Sequence, residues 1–577
     1  MAVRVRVPLA AHQKIEIMRK LLFTVICSAS VLLFNSCSSQ LKPLAAEQFF
    51  TTPTPMEVKG GQIPVVINGK IPAKWMHKKA VITMTPVLVS ATGEELQRGE
   101  SVTFQGENVI DNHQVIFKQR GTNFSLNHAF DYTDAYRNSN LMMTFQAKVG
   151  KRSVNLPHLH LADGVMATSE FYKRILDEDG LCLSPDSFQR ITNQRYEATV
   201  KFLVNQAELR KSELKNNSVQ EFVALLKRIN ADREKLNLKN VEVQAYASPE
   251  GGFTFNDRLA GKRQDASKNY VEDVLKQNKV DAQVAARYTA QDWDGFQQLV
   301  RASNIQDKEV ILRVLSMYDD PQQREEKMRN MGVAFRGLAD EVLPELRRSR
   351  LIINYETIGR SDEQIRAQYF SDPQKLSVEE LLYAATLTDE RAEQKQIYQK
   401  ITQVYPADAR AWNNLGVLAF KEKNLAEAKK YVERALQVNG QLAEARANKG
   451  LLTLVDGDLA GAEAELSKAA GGNRLDEATA ILCLAQGKYA AAESLLADKA
   501  TKSALLACIL NKHYAEAEKI LETMKNADAT TNYLAAVLYA REGNNPSAAN
   551  CLQRAFAQDA SLRAVAEKDI ELKNVSK

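Results

Sequence analysis

Few side chains in this 577-residue sequence are spaced for chemistry. His158 and His160 lie two apart, so both fall on one face of a strand. Two imidazoles can ligate zinc, but no third ligand stands at an informative spacing, and the pair reads as surface strand histidines. Ser212-Glu-Leu-Lys215 has the spacing of a Ser-x-x-Lys nucleophile without its usual companions. Asp177-Glu-Asp179 and Asp456-Gly-Asp458 read as turn carboxylates rather than metal loops. His-Glu-x-x-His, a phosphate-cradling glycine loop, Gly-x-Ser-x-Gly and Cys-x-x-Cys are all absent from the sequence. The residues therefore favour a binding and scaffolding protein over an enzyme, with no cofactor.

Composition narrows the class. At roughly 150 residues per domain the chain holds about three or four domains. Its 45% apolar and 25% charged residues are ordinary for globular protein and argue against disorder, a fibre or a polytopic membrane protein. Six cysteines are too few for a disulfide-built scaffold. Of the formal charge of +5, residues 1–36 carry +4 (Arg4, Arg6, Lys14, Arg19 and Lys20 against Glu16), which leaves +1 for the rest. A near-neutral body gives no electrostatic case for nucleic acid.

Met18 opens an export signal. Arg19 and Lys20 precede an apolar run, Leu21 to Phe34, of about 14 residues, too short to span a bilayer core of about 30 Å. Ser36-Cys37 then resembles a bacterial lipobox, which implies lipidation of Cys37, now the mature N-terminus. Residues 1–17 read as an upstream extension. Acyl chains contribute about 0.8 kcal/mol per buried CH₂, enough in number to anchor the protein stably. Residues 37–56, with Ser, Thr and Pro, read as a tether.

Residues 57–165 have period two. Ala80–Val89, Ser101–Phe104, Gln114–Phe117, Asn123–Leu126 and Leu141–Phe145 read as strands, with Pro86 marking an edge or bulge. Gly93, Gly106, Gly121 and Gly150 punctuate them, and the pattern predicts an antiparallel β-sandwich.

Residues 190–358 alternate strand and helix. Glu197–Val204 and Val241–Tyr246 are strand-like, whereas Val219, Phe222, Val223, Leu226 and Ile229 form a helical stripe. The loop Ala247-Ser-Pro-Glu-Gly-Gly252 runs into a helical stretch from Asn256 to Leu275. Counted from Ser248, Asn256 falls eight residues on, Leu259 eleven and Arg263 fifteen. This resembles the OmpA-like, peptidoglycan-associating domain. Helical sequence through Leu346 before a closing strand, Arg347–Tyr355, resembles the Bacteroidota members, whose loop reads Ala-Ser-Pro-Glu-Gly. The resemblance implies that Arg263 grips a stem-peptide carboxylate as a bidentate fork, with Asn256 beside it. The family Asp, which pairs the diaminopimelate ammonium, is Ser248 here, leaving that contact absent or to Glu250.

From residue 375 to 577 a motif ending in Ala recurs at Ala428, Ala462, Ala492, Ala517 and Ala548, with spacings of 34, 30, 25 and 31. Residues 409–442 resemble the tetratricopeptide repeat, with Trp412, Leu415, Gly416, Ala428 and Ala435 at consensus positions. Gly450 and Ala462 keep register in the next repeat, and Leu382, Tyr398 and Pro406 in the one before. Cys483 and Cys508, 25 apart, occupy equivalent repeat positions and read as buried packing. The resemblance implies a concave groove for an extended peptide or partner helix, lined by Asn413, Asn414 and Asn448, whose amides suit backbone recognition.

The sequence thus predicts a multidomain α+β chain: an N-terminal β-sandwich, an OmpA-like α/β domain with a helical insertion, and a C-terminal all-α tetratricopeptide solenoid. The functional expectation is a non-enzymatic outer-membrane lipoprotein, periplasm-facing, that scaffolds the envelope. It contacts peptidoglycan through the OmpA-like domain and an unidentified envelope protein through the repeats. The second reading is a surface-exposed or secretion-associated assembly or adhesion lipoprotein without peptidoglycan binding.

Overall fold

Strict alternation along Gln62–Ile71 drives Ile63, Val65, Ile67 and Ile71 to one face and leaves Gln62, Val66, Asn68 and Lys70 on the other. In the computed structural model, which describes residues 41–577 except 307, 331, 333–335, 473, 526 and 577, that segment is the middle strand of one sheet of a sandwich. The strands are β1 (Phe49–Thr52), β2 (Met56–Glu57), β3 (Gln62–Ile71), β4 (Ala80–Val89), β5 (Glu95–Arg98) and β6 (Val102–Gly106). They continue with β7 (Gln114–Ile116), β8 (Thr122–Asp131), β9 (Asn140–Val149), β10 (Arg152–Val154), β11 (Leu159–Asp163) and β12 (Val165–Met166). One sheet runs β1-β3-β8, the other β10-β9-β4-β6-β7 with β11 on β9 and β5 on β4, and β12 pairs with β2. Ile63, Ile67, Ile82, Met84, Phe104 and Phe130 share the core.

Pro86 sits inside β4 rather than at an edge. β6 pairs with residues 81–84 and β5 with residues 87–89, so the missing N–H of Pro86 falls where one partner hands over to the next. The tether expectation is corrected for residues 41–56: Leu41, Leu44, Phe49 and Met56 are buried in the sandwich core, and β1 pairs with β3. Four apolar side chains at this spacing outweigh the Ser/Thr/Pro composition. Cys37, the export signal and residues 37–40 lie outside the described residues.

By contact density the chain splits into two units: the sandwich and following residues through Ser184 join Ala407 onward, and Pro185–Pro406 forms the other. In the latter, β13 (Ile191–Lys201), β14 (Leu236–Tyr246), β15 (Val284–Thr289) and β16 (Arg348–Ile358) form one sheet in the order β13-β16-β14-β15. Only β14 and β15 are parallel. The helix Asn217–Ala231 is capped by Asn216, whose Oδ1 accepts from the Val219 N–H at 2.9 Å. It and the helix Phe253–Gln277 bury Val219, Phe222, Leu226, Val271 and Leu275 against Val200, Val243 and Leu351. The helices Trp293–Ala302, Lys308–Ser316 and Pro321–Arg329 precede β16 and build a second core around Trp293, Phe296, Leu315 and Met328. Residues 375–406, expected as part of the repeat array, belong to this unit, their helices Val378–Ala384 and Arg391–Val404 packed as a hairpin within it.

The C-terminal region is helical, beginning with the pairs Ala409–Lys421/Leu425–Val438 and Ala443–Val455/Leu459–Leu466. Two glycines show why the repeat needs small residues. A Cβ at Gly416 would meet Val432 Cγ2 at 2.8 Å, and one at Gly450 would meet Leu466 Cγ at 2.8 Å. In each pair the second helix crosses against the first at the same repeat position, where Ala428 and Ala462 are also fully buried.

Candidate functional site

The three groove asparagines are buried, and what they hold is this chain. Asn413 and Asn414 lie on the helix Ala409–Lys421 and Asn448 one repeat later on Ala443–Val455. The Cys182 N–H donates to Asn448 Oδ1 at 2.6 Å, and Asn448 Nδ2 donates back to the Cys182 carbonyl at 2.8 Å. Two residues on, the Ser184 N–H donates to Asn414 Oδ1 at 2.8 Å and Asn414 Nδ2 donates to the Ser184 carbonyl at 3.0 Å. Asn413 Nδ2 completes the set, donating to the Cys182 carbonyl at 2.9 Å and to Ser184 Oγ at 3.1 Å, while its Oδ1 accepts from Asn448 Nδ2 at 2.8 Å. An extended chain turns the N–H and C=O of alternate residues to the same edge. The amides at residues 414 and 448 therefore read residues 184 and 182 as a neighbouring strand would.

The residues before this segment are equally committed. The helix Phe171–Asp179 stacks Phe171 on Tyr533, ring centroids 4.7 Å apart. Arg174 Nε donates to Thr530 Oγ1 at 2.6 Å, and its guanidinium pairs with Asp559. Hydrogen bonds from Ser561 and Arg174 hold the Asp559 carboxyl down at about 2. Lys502 Nζ bridges Glu178 and Asp528, each at 2.7 Å. Ala167, Thr168, Phe171, Ile175, Leu176, Leu181, Cys182 and Ser184 are all buried, several of them in the array's own core. Burial pushes the Cys182 thiol up to about 12, which makes it packing rather than a nucleophile. The expected groove exists, but an internal segment occupies it, so the expectation of an open peptide site at these asparagines is corrected.

The loop site in Pro185–Pro406 shows the same economy. Arg263 is 1% exposed, neither on a solvated helix face nor aimed at one. Its Nε donates to the Gln206 carbonyl at 2.9 Å, one terminal nitrogen to the Tyr246 carbonyl at 2.9 Å and the other to the Leu203 carbonyl at 3.2 Å. The guanidinium lies over the Phe202 ring at 4.9 Å, and burial draws it down to about 10, still a cation near neutrality. Asn256 Nδ2 donates to the carbonyls of Ser248 and Gly251, both at 2.8 Å, and so closes the loop on the helix. Ser248 Oγ donates to Glu250 Oε1 at 3.0 Å. Glu250 in turn takes a two-point grip from Arg347, both contacts 2.9 Å. The structure thus brings Ser248, Glu250 and Asn256 together with Arg263 nearby. Three of the guanidinium's five N–H groups are spent on main-chain carbonyls and the Glu250 carboxylate on Arg347, so the groups to which the resemblance gives a carboxylate-gripping role are committed to this chain.

Sequence reasoning missed Arg347, Arg174, Lys502 and Asp528, and its reading of Asp177-Glu-Asp179 as turn carboxylates is corrected, because the three close the helix Phe171–Asp179 and Glu178 meets Lys502. Arg347 opens the expected closing strand, and no spacing linked it to residue 250. His158 and His160 are exposed, and His160 Nε2 meets Asp163 at 2.8 Å. Among the described residues no cluster of three or more His, Cys, Asp or Glu could hold a metal ion. The four described cysteines, Cys182, Cys483, Cys508 and Cys551, are free and buried.

The tetratricopeptide repeat family model matches residues 409–442, the stretch holding Asn413 and Asn414. The C-terminal region is a tetratricopeptide array. A tetratricopeptide repeat protein from Parabacteroides merdae is 16% identical over 36% of this chain and 90% of its own, with a TM-score of 0.29. YrrB, described as having an unusual peptide-binding site, is 18% identical over 36% of this chain and all of its own, with a TM-score of 0.21. PilF of Pseudomonas aeruginosa is 15% identical over 37% of this chain and 98% of its own, with a TM-score of 0.26. No curated protein sequence matches the chain. Tetratricopeptide repeats are protein-interaction modules, and no catalytic family is matched. Among the described residues no helix is long and apolar enough to cross a membrane.

Proposed function

We propose that the protein is a non-enzymatic scaffold of a bacterial envelope, held at the outer membrane by a lipid on Cys37, facing the periplasm. Its interaction array serves first to bind its own chain. The observation that carries this reading is the asparagine ladder: the polar atoms expected to face a ligand are paired with the main chain of Cys182 and Ser184. A groove filled by a buried internal segment clamps the sandwich-bearing half of the chain to the array. Partners then meet other surfaces of a preassembled body. The OmpA-like resemblance of Pro185–Pro406 supports an envelope setting, and the internal pairing of Arg263 favours the version of the scaffold without stem-peptide binding.

Titration of the full chain with diaminopimelate-containing muropeptides tests this, alongside fractionation of cells carrying Cys37→Ala. The expected results are no muropeptide binding, unchanged in Ser248→Asp, and release of the Cys37→Ala protein from the membrane fraction. Saturable muropeptide binding abolished by Arg263→Lys in a still-folded protein would restore the wall-contact reading. Continued sedimentation with membranes, with no acyl mass on the N-terminus, would remove the anchor.

A further inference from the structure

Edge strands carry unpaired N–H and C=O groups, and proteins protect them with charge, proline or brevity. In Pro185–Pro406 the edge strand β13 carries Arg195, Glu197 and Lys201. In the sandwich, β1, β7 and β10 are three or four residues long. β8 is long and free of proline, and its one charge is Asp131 at its last residue. It pairs with β3 over ten residues on one side, and no described strand pairs with its other side. From Thr122 to Phe130 it reads Thr-Asn-Phe-Ser-Leu-Asn-His-Ala-Phe, with no Lys, Arg, Asp, Glu or Pro. Its outer-face residues Asn123, Ser125, Asn127 and Ala129 are short, uncharged and exposed, while Phe130 is fully buried on the core face.

We infer that β8 is a self-association edge, on which the β8 of a second copy pairs antiparallel across a two-fold axis through Leu126. The choice of a second copy rests on complementarity. Opposed residues in an antiparallel ladder share a face, so the register must keep outer residues opposite outer ones. Centring on Leu126 does so, setting Ser125 against Asn127 and Asn123 against Ala129, with no like charges opposed. It also brings Asp131 of each copy opposite Gly121 of the other, one residue from Arg120. Asp131 and Arg120 are exposed, and Arg120 lies over its own Phe117 ring at 5.9 Å. Two symmetric ion pairs thus close the ends of a strand pairing that is otherwise charge-free, and the two three-stranded sheets become one of six strands.

The test is analytical ultracentrifugation of the full chain in detergent over a concentration series. Two double variants on the exposed face are compared with the wild type, Ser125→Lys/Asn127→Lys and Ser125→Glu/Asn127→Glu, each checked for unchanged circular dichroism. The wild type is expected to shift from monomer to dimer as concentration rises. Each double variant alone opposes like charges at the 125/127 pairs and dimerises at least about tenfold more weakly. An equimolar mixture of the two restores a mixed dimer. A wild type that stays monomeric, a Lys/Lys variant that dimerises like the wild type, or a mixture that stays monomeric would each overturn the proposal. The first of those outcomes would leave β8 to a strand from another protein.

Discussion

The groove of the array and the loop site around Arg263 solve one problem with different side chains. In the groove, each neutral amide offers donors and an acceptor side by side, and so matches the alternating N–H and C=O of an extended segment residue by residue. At the loop site a cation offers donors only, and so gathers carbonyls from two places, the turn of Leu203 and Gln206 and the strand end at Tyr246. The first arrangement reads a strand and the second ties a knot. Neither side-chain type, seen in sequence, tells whether its partner lies in another molecule or in the same one.

Substitutions separate the two. Arg263→Ala has the largest expected effect. It removes the side-chain donor from three inward carbonyls and empties a fully buried volume, for a loss of about 3–5 kcal/mol in the stability of Pro185–Pro406. Denaturant unfolding followed by Trp293 fluorescence reads it, with Arg263→Lys intermediate. If Arg263→Ala unfolds like the wild type, the knot is not structural. Asn414→Ala/Asn448→Ala comes next. Asn414→Ala strips the Ser184 N–H and C=O of their partners, and Asn448→Ala strips the Cys182 N–H and leaves its C=O to Asn413 alone, for about 1–3 kcal/mol each, and the pair couples through Asn413. Hydrogen exchange should rise sharply at the amides of residues 182 and 184 and little in Pro185–Pro406. Equal exchange throughout would contradict the ladder.

Gly450→Ala comes third, at about 1–3 kcal/mol, because the new methyl collides with Leu466 across the helix pair. Thermal unfolding checks it, and Gly416→Ala should behave alike against Val432. The smallest expected effect is on pH dependence. Asp559 is held at about 2, below its ordinary 3.8, so the stability it contributes is present above about pH 4 and is lost as pH falls towards 2. Arg174→Met should flatten that part of the melting-temperature profile by lowering the plateau above about pH 4 towards the acid end, which itself should hardly move. An unchanged acid slope would show that Arg174 is not what holds the carboxylate.

Much of this was legible in the sequence, for physical reasons. Ala80–Val89 reads as a strand because its alternation survives Pro86, and the structure shows that the proline sits at a partner change. The repeat is legible because Gly416, Ala428 and their counterparts in the next pair are fixed by helix contact, which leaves a regular trace. The positions of Asn413, Asn414 and Asn448 in the groove followed from that register. Their partner did not, because Leu181–Ser184 has no pattern of its own and lies more than 200 residues away in sequence. The tether over residues 41–56 misled because Ser, Thr and Pro mark loops only when no apolar residue is placed to bury, and Leu41, Leu44, Phe49 and Met56 are. Arg263 misled differently. Its offset from Ser248 is a property of loop and helix geometry, and that geometry serves a structural guanidinium as well as a ligand-gripping one.

The internal ligand also sets a timetable. Phe171, Ile175, Leu176, Leu181 and Cys182 leave the ribosome long before the helices that cover them, since all of Pro185–Pro406 is made in between. At about 5–20 residues per second the wait is on the order of tens of seconds. During that interval the segment from Phe171 to Cys182 has apolar side chains in need of shelter. A chain cut short anywhere before Ala529–Arg541 lacks Tyr533 to receive Phe171. The helix Phe171–Asp179 therefore stays without its cover until the last repeats of the array are present.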